Sequence, residues 1–201
     1  MKYFETLPKV VYTDQKKNSK VYTNLLARVS VKPTLLDNSV IYYKYDIQDG
    51  DTPEIIAHKY YGDVYRYWIV LYVNQILDPQ WGWPVTSNAF EDYVRNKYPN
   101  MSYYVIPHHF EKIITQVDSK TNITTTNILI VDEFTYDNLP PEPITKSFSF
   151  ASGTTTVTTS RRVVSLYDYE MDLNESKRNI KILNSAYVNQ FETEFSDLMA
   201  A

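Results

Sequence analysis

Asp49–Pro84, DGDTPEIIAHKYYGDVYRYWIVLYVNQILDPQWGWP, holds two helix starts, two helix stops and the tryptophans of the chain, and its reading decides the fold. Asp49, Gly50 and Asp51 are a turn signal. Thr52 stands where its hydroxyl accepts from the free amides of a first helical turn, and Pro53 where a missing donor costs nothing. Ile55, Ile56 and Tyr60 recur at helical spacing, and Gly62 offers the left-handed conformation that ends a helix, so the first helix is predicted over Pro53–Tyr61. Asp63 caps a second helix. In it Val64, Trp68, Leu71 and Tyr72 share a face that Tyr65 and Ile69 widen, and it ends near Asn74, before the turn chemistry of Asp78, Pro79 and Gly82. Val40–Ile47, upstream, is β-branched and aromatic and predicts a strand, with a short second strand near Trp83–Thr86. Strand, helix, helix and strand then form one compact unit.

A third helix follows at once. Asn88 and Glu91 have capping-box spacing, Phe90, Tyr93, Val94 and Tyr98 make an apolar face, and Tyr98-Pro99-Asn100 ends it, so residues 40–99 are expected to fold together. Residues 1–39 show no sustained stripe and predict an arm with a short helix near Thr23–Ala27, packed across the central unit or on a neighbour. From Met101 to Ile182 the chain is rich in Thr, Ile, Val and Tyr and predicts strands. Ile113–Val117 and Ile123–Val131 flank Asp118–Asn122, one hairpin; Ser147–Phe150 and Thr154–Thr159 flank Ser152-Gly153, another. Leu139–Pro143 interrupts pairing with three prolines. In Val163–Leu173, Leu166, Asp168, Glu170 and Asp172 alternate with Tyr167, Tyr169, Met171 and Leu173, which predicts a strand with one acidic face. These acids point to water or to basic partners such as Arg161, Arg162, Lys177 and Arg178, rather than to a metal.

The last helix, Ser185–Met199 with Ser185 as cap, lines Val188, Phe191, Phe195, Leu198 and Met199 along one side. So apolar a face has to dock. It docks either on the chain's own core or on an adjacent subunit, and the second is favoured. Tyr187, Phe191, Phe195, Leu198 and Met199 are therefore candidate interface residues, together with Trp81, Trp83, Arg161, Arg162, Lys177 and Arg178.

The 201 residues, 43% hydrophobic, suffice for one domain or two small ones, and the net charge of -4 gives no drive toward phosphate backbones. The absence of cysteine excludes disulfides, thiolate nucleophiles and cysteine-ligated zinc. Nineteen tyrosines against four glycines suit a protein that meets other proteins or fills a β-rich core, and leave little for a phosphate cradle. Only His58, His108 and His109 supply imidazoles, and the adjacent pair is expected on opposite faces of a strand. No cofactor, no metal and no catalytic group is expected. Trp81 and Trp83 suit either a sugar-stacking platform or packing under the helix pair and at an interface; the second is favoured.

Tyr45–Thr52, followed by Ile55-Ile56-Ala57, Tyr60 and Asn74, resembles the LysM motif, a βααβ module known for binding peptidoglycan and chitin. More narrowly, Gly50–Glu54, Tyr61-Gly62-Asp63, Tyr67-Trp68, Asn74, Asp78-Pro79 and Trp83-Pro84 resemble the LysM-like baseplate wedge subunit, protein 53, of contractile-tailed bacteriophages. That likeness extends to Tyr3-Phe4, Arg28-Val29, His108–Phe110 and Asn174–Met199, and fails over about 113–160. It implies an α+β fold with an arm (1–39), a LysM-like unit with its following helix (40–99), a β-rich region with inserted hairpins (100–184) and a C-terminal docking helix (185–201). It also implies a structural subunit, not an enzyme, that bridges adjacent wedges and helps close the baseplate ring around the hub. Its partners would be wedge-core and sheath-initiator-like subunits and neighbouring wedges in a sixfold ring, with no nucleic acid and no membrane. The expected location is the virion tail baseplate, after assembly in the host cytoplasm. The alternative is a LysM-type peptidoglycan-binding module of a tail or lysis device.

Overall fold

The computed structural model describes residues 3–29, 40–151 and 153–200. Strands β1 (Lys9–Thr13), β2 (Ser19–Thr23) and β3 (Tyr42–Asp46) come first, then helices α1 (Pro53–Tyr61), α2 (Tyr67–Val73), α3 (Pro79–Gly82) and α4 (Ser87–Lys97). Strands β4 (Pro107–Asp118) and β5 (Thr124–Val131), helix α5 (Glu133–Asp137), and strands β6 (Ile144–Phe150) and β7 (Gly153–Ser165) follow. Helix α6 (Leu166–Ser176), strand β8 (Asn179–Leu183) and helix α7 (Val188–Ala200) complete an α+β chain. It divides into two compact units. One joins residues 1–86 to 175–201; the other is continuous, 87–174, whereas the sequence put boundaries after residues 99 and 184.

In the first unit the local signals act as expected. Thr52 Oγ1 accepts from the Ile55 amide at 3.3 Å, and Gly62 ends α1 at φ 68°. Asp63 accepts from the Tyr65 amide at 2.9 Å and starts a 3₁₀ turn, Val64–Arg66, that runs into α2. The partner of β3 is not local. No strand forms at Trp83–Thr86, where Pro84 withdraws a donor; β3 pairs antiparallel with β8, Tyr42 opposite Leu183 and Asp46 opposite Asn179. Ile180 and Ile182 of β8 turn inward onto Ile56, Ala57, Trp68, Ile69, Val70 and Val73 of the helix pair.

Asn74 locks this pairing. Its amide nitrogen donates to the carbonyls of Val70 (2.8 Å) and Lys181 (2.7 Å), and its oxygen accepts from the Lys181 amide (2.7 Å). One side chain thus joins the end of α2 to both peptide groups of the central residue of β8. Asn74→Ala removes three bonds worth about 1 kcal/mol each and leaves Lys181 peptide groups unpaired. It is expected to lower the stability of the first unit by about 2–3 kcal/mol in urea titration, with no change in secondary structure.

The closing helix has Asn184, not Ser185, as its cap: the Asn184 side chain accepts from the Ala186 amide at 3.1 Å and opens a 3₁₀ turn, Ser185–Tyr187, before α7. Val188, Phe195 and Met199 are buried in the same core as Trp68 and Ile182. The docking surface is the chain's own core, not the adjacent subunit that the sequence favoured. The N-terminal residues form a hairpin. Asp14 accepts from the amides of Lys16 and Asn18 (2.8 and 2.9 Å), and Lys17 takes φ 63° between them. The expected helix at Thr23–Ala27 is absent, because β2 runs to Thr23 and Asn24 accepts from the Leu26 amide in an Asx turn. Leu7 is buried in the core, and Tyr3, Ala27 and Val29 pack on it. Residues 30–39 of the expected arm lie outside the described residues.

In the second unit both hairpins form and join through β4 and β7 into an antiparallel sheet of order β5-β4-β7-β6. Ser152, expected in the second turn, lies outside the described residues. The acidic strand predicted over Leu166–Leu173 is a helix. Ser165 Oγ accepts from the Asp168 amide (3.1 Å), while the Asp168 carboxylate accepts from the Ser165 hydroxyl (2.8 Å). This reciprocal cap nucleates α6 and outweighs the alternating pattern. At helical spacing Asp168 and Asp172, four residues apart, share a side while Glu170 is turned to the opposite one and is buried, so the three acids do not form one face.

Candidate interaction surfaces

The expected interface residues separate into two groups. Phe195 and Met199 are buried internally, and Phe191 is half-buried beside Trp68, ring centroids 6.0 Å apart. Leu198 is 60% exposed and Tyr187 36%. Trp83 packs on the core and donates its indole N–H to the Asp51 carbonyl at 2.9 Å, whereas Trp81 is 62% exposed. Glu192, on α7, accepts a bidentate pair of bonds from Arg66, both 3.0 Å, and Asn189 accepts a third at 3.0 Å. Arg66 clamps the helix down.

The basic residues are mostly committed. Arg178 donates to Glu175 at 2.8 Å and to the Ile47 carbonyl at 3.1 Å, tying the start of β8 to the end of β3. Arg162 donates to Glu111 (2.8 Å) and Asp172 (3.3 Å), the second being the one contact of the kind expected between the basic and acidic runs. Arg161 lies over the Tyr136 ring, 4.6 Å from its centroid, and donates to the Tyr136 carbonyl. Lys177 is half-buried.

Two features escaped the sequence. An apolar groove of about 580 Å³ runs along α2, lined by Tyr3, Phe4, Tyr67, Trp68, Tyr72 and Leu77. Phe4 and Leu77 belong to segments with no periodicity to mark them. The second feature is Glu170, buried on α6 and accepting from Lys97 Nζ (2.8 Å), Tyr98 (2.7 Å) and Tyr93 (3.2 Å) of the α4 segment. Burial pushes its carboxyl up, but the hydrogen bonds from Lys97 and Tyr98 outweigh this and hold it below the usual 4.5. The hydrogen bond to Glu170 holds Lys97 above its usual 10.5. A depressed carboxyl contributes stability above its unfolded pKa and loses it as pH falls through the folded value; a raised ammonium contributes below its unfolded pKa and loses it in base. The second unit is therefore expected to keep this contribution between about pH 4.5 and 10.5 and to lose it on either side. Urea midpoints against pH should show the acid limb in the native chain and a shallower one in Glu170→Gln.

The histidine pair is not split across a strand: a register shift between Pro107 and His109 brings the two Nδ1 atoms to 2.8 Å, and His108 stacks on Tyr169 at 3.7 Å. His109 Nε2 lies 3.2 Å from Glu111, whose other oxygen holds Arg162. Among the described residues no group of three or more histidines and acids is placed to hold a metal ion, and no helix is long and apolar enough to cross a membrane.

Comparison with curated proteins returns no match. A family model described as base plate wedge protein 53 matches residues 5–199, nearly the whole chain and both units of the fold. With a discontinuous core closed by α7 and with Trp81 and Tyr187 left exposed, the chain belongs, by this match, to the base plate wedge protein 53 family.

Proposed function

We propose that this wedge subunit bridges adjacent wedges and helps close them into a ring around the hub, through recognition without chemistry. The observation that carries the reading is the family match over residues 5–199. The order β3, α1, α2 and then β8 supports treating the first unit as a LysM-like block whose returning strand is delivered after an insertion at 87–174. A rigid block with exposed Trp81, Leu198 and Tyr187 and a separate sheet-bearing unit offers two bodies for contact, which is what spanning two wedges requires. Wedge-core and sheath-initiator-like subunits are the partners, in a sixfold ring that forms in the host cytoplasm and ends in the virion baseplate. No nucleic acid, membrane or cofactor takes part. The murein-binding alternative, which drew on Trp81 and Trp83 as a paired stacking platform, has the weaker support, since Trp83 packs on the core and donates its indole N–H to Asp51 while only Trp81 of the two is exposed.

The test is assembly without the subunit. Cells infected by phage with a nonsense mutation in this gene should accumulate single wedges on sucrose gradients, and supplying the intact chain should restore rings. Complete rings formed in its absence would overturn the proposal.

A further inference from the structure

The sheet of the second unit has two chemically different faces. Strand register puts Lys112, Ile114 and Gln116 of β4 beside Leu129 of β5, Thr159 and Val157 of β7, and Ile144, Lys146, Phe148 and Phe150 of β6. The opposite face carries Thr115, Thr126, Thr145, Thr156, Thr158 and Ser147, with Ile113, Val117, Ile128 and Ile130 along β4 and β5 and the Glu111–Arg162 pair neutralised at one end, and it has no unpaired cation among the described strand residues. One face is mainly hydroxyl with an aliphatic border; the other carries the phenylalanines and the lysines.

On the apolar face, Phe148 is 48% and Phe150 62% exposed, and Leu129 and Ile144 are also exposed. Helix α5 covers only one end, where Tyr136 packs on Phe110 and takes Arg161. Neither Lys112 nor Lys146 has an ion-pair partner among the described residues, although Lys112 is half-buried. Among the described strand residues of this face the one acid, Asp118, is occupied by the amides of Lys120 and Thr121 in its own turn, both at 2.9 Å. Apolar rings beside two uncompensated ammonium groups call for a partner that brings both apolar side chains and carboxylates.

We propose that this face seats an acidic amphipathic segment of another baseplate chain; the inference rests on the wedge-subunit reading above. From the level of Lys112 to that of Phe150 the register spans eight residues, about 27 Å at strand rise, the length of about eighteen helical residues. Lys112 and Lys146 lie four residues apart along the register, about 13 Å, and two strands apart, about 10 Å, a separation of about 16 Å, so carboxylates about eleven residues apart, three turns along one face of such a helix, meet both.

The test places a photo-crosslinking amino acid in the full-length chain at Leu129 or Phe148, and, as controls, at Thr126 or Thr156 on the hydroxyl face. Each variant is incorporated into phage tails, irradiated, and the linked peptides are sequenced by mass spectrometry. Both apolar-face positions are expected to link to one peptide of another baseplate chain, apolar with a net negative charge, and the control positions are not. Adding Lys112→Glu and Lys146→Glu together should cut the yield at Phe148 at least tenfold, while the two arginine substitutions retain it. Tails that contain the chain but show no link from this face, a link within the same chain, a basic partner peptide, or equal yields from both faces overturn the inference and leave the wedge reading standing. Complete baseplates that lack the chain overturn the wedge reading itself.

Discussion

Truncation after Tyr187 is expected to leave the first unit unfolded rather than to yield a sound subunit that fails only in ring closure. The deletion strips Val188, Phe195 and Met199 from the core, removes Phe191 from the Trp68 ring, and takes Glu192 and Asn189 from Arg66. At about 1.5–3 kcal/mol for each buried apolar side chain, the three core residues alone account for roughly 5–9 kcal/mol. A domain of this size has about 5–15 kcal/mol in total. Arg66 would also lose the carboxylate that satisfies it, a further cost for a largely buried pair. Circular dichroism and proteolysis of the truncated chain should show loss of cooperative unfolding for this unit. A truncated chain that melts like the intact one would show that α7 does not belong to this core.

Trp68→Ala is expected to be the most damaging single substitution in the first unit, at about 3–5 kcal/mol. The ring is buried at the junction of α2 and α7, with centroids 4.8 Å from Phe195, 5.7 Å from Tyr3 and 6.3 Å from Tyr72. It therefore couples the N-terminal residues, the helix pair and the final helix, and its loss opens a cavity among groups from three segments that cannot close on it together. Trp81→Ala, by contrast, should change stability by less than about 0.5 kcal/mol, because the ring is exposed. Chemical denaturation of the two variants separates them. If Trp81 serves assembly, its variant folds normally and enters baseplates poorly.

The contrast between the two tryptophans shows what the sequence could disclose. The starts of the first two helices in Asp49–Pro84 depend on residues within one turn of each other, Thr52 on Ile55 and Asp63 on Tyr65, so local chemistry determined them and they were legible, whereas the short helix α3 stands where turn chemistry was expected. The pairing of β3 with β8 depends on residues more than a hundred positions apart, and a nearby apolar stretch at Trp83–Thr86 looked equally suitable until Pro84 is counted against it. The stripe on α7 disclosed that something must be buried there, but amphipathicity carries no address. At Leu166–Leu173 two signals conflicted: alternation over eight residues, and a serine three positions before an acid. The cap won because it satisfies helix amides that alternation leaves unaddressed. The histidine pair was misplaced for a comparable reason, since a strand irregularity between Pro107 and His109 leaves no mark on period-two reasoning.

The candidate interface residues could not be sorted by depth from the sequence. Phe195 and Met199 sit inside, Arg162 and Arg178 are held by internal carboxylates, and Trp81 and Leu198 remain outside. The apolar-cationic sheet face went unseen because its members come from four strands, and only the register brings Leu129, Lys112, Lys146 and Phe148 together.

Bridging is most directly tested by a density map of the intact tail baseplate at side-chain resolution. Each copy of the chain is expected to touch subunits of two neighbouring wedges, with α7 packed on its own first unit. Copies whose contacts are confined to a single wedge would contradict it.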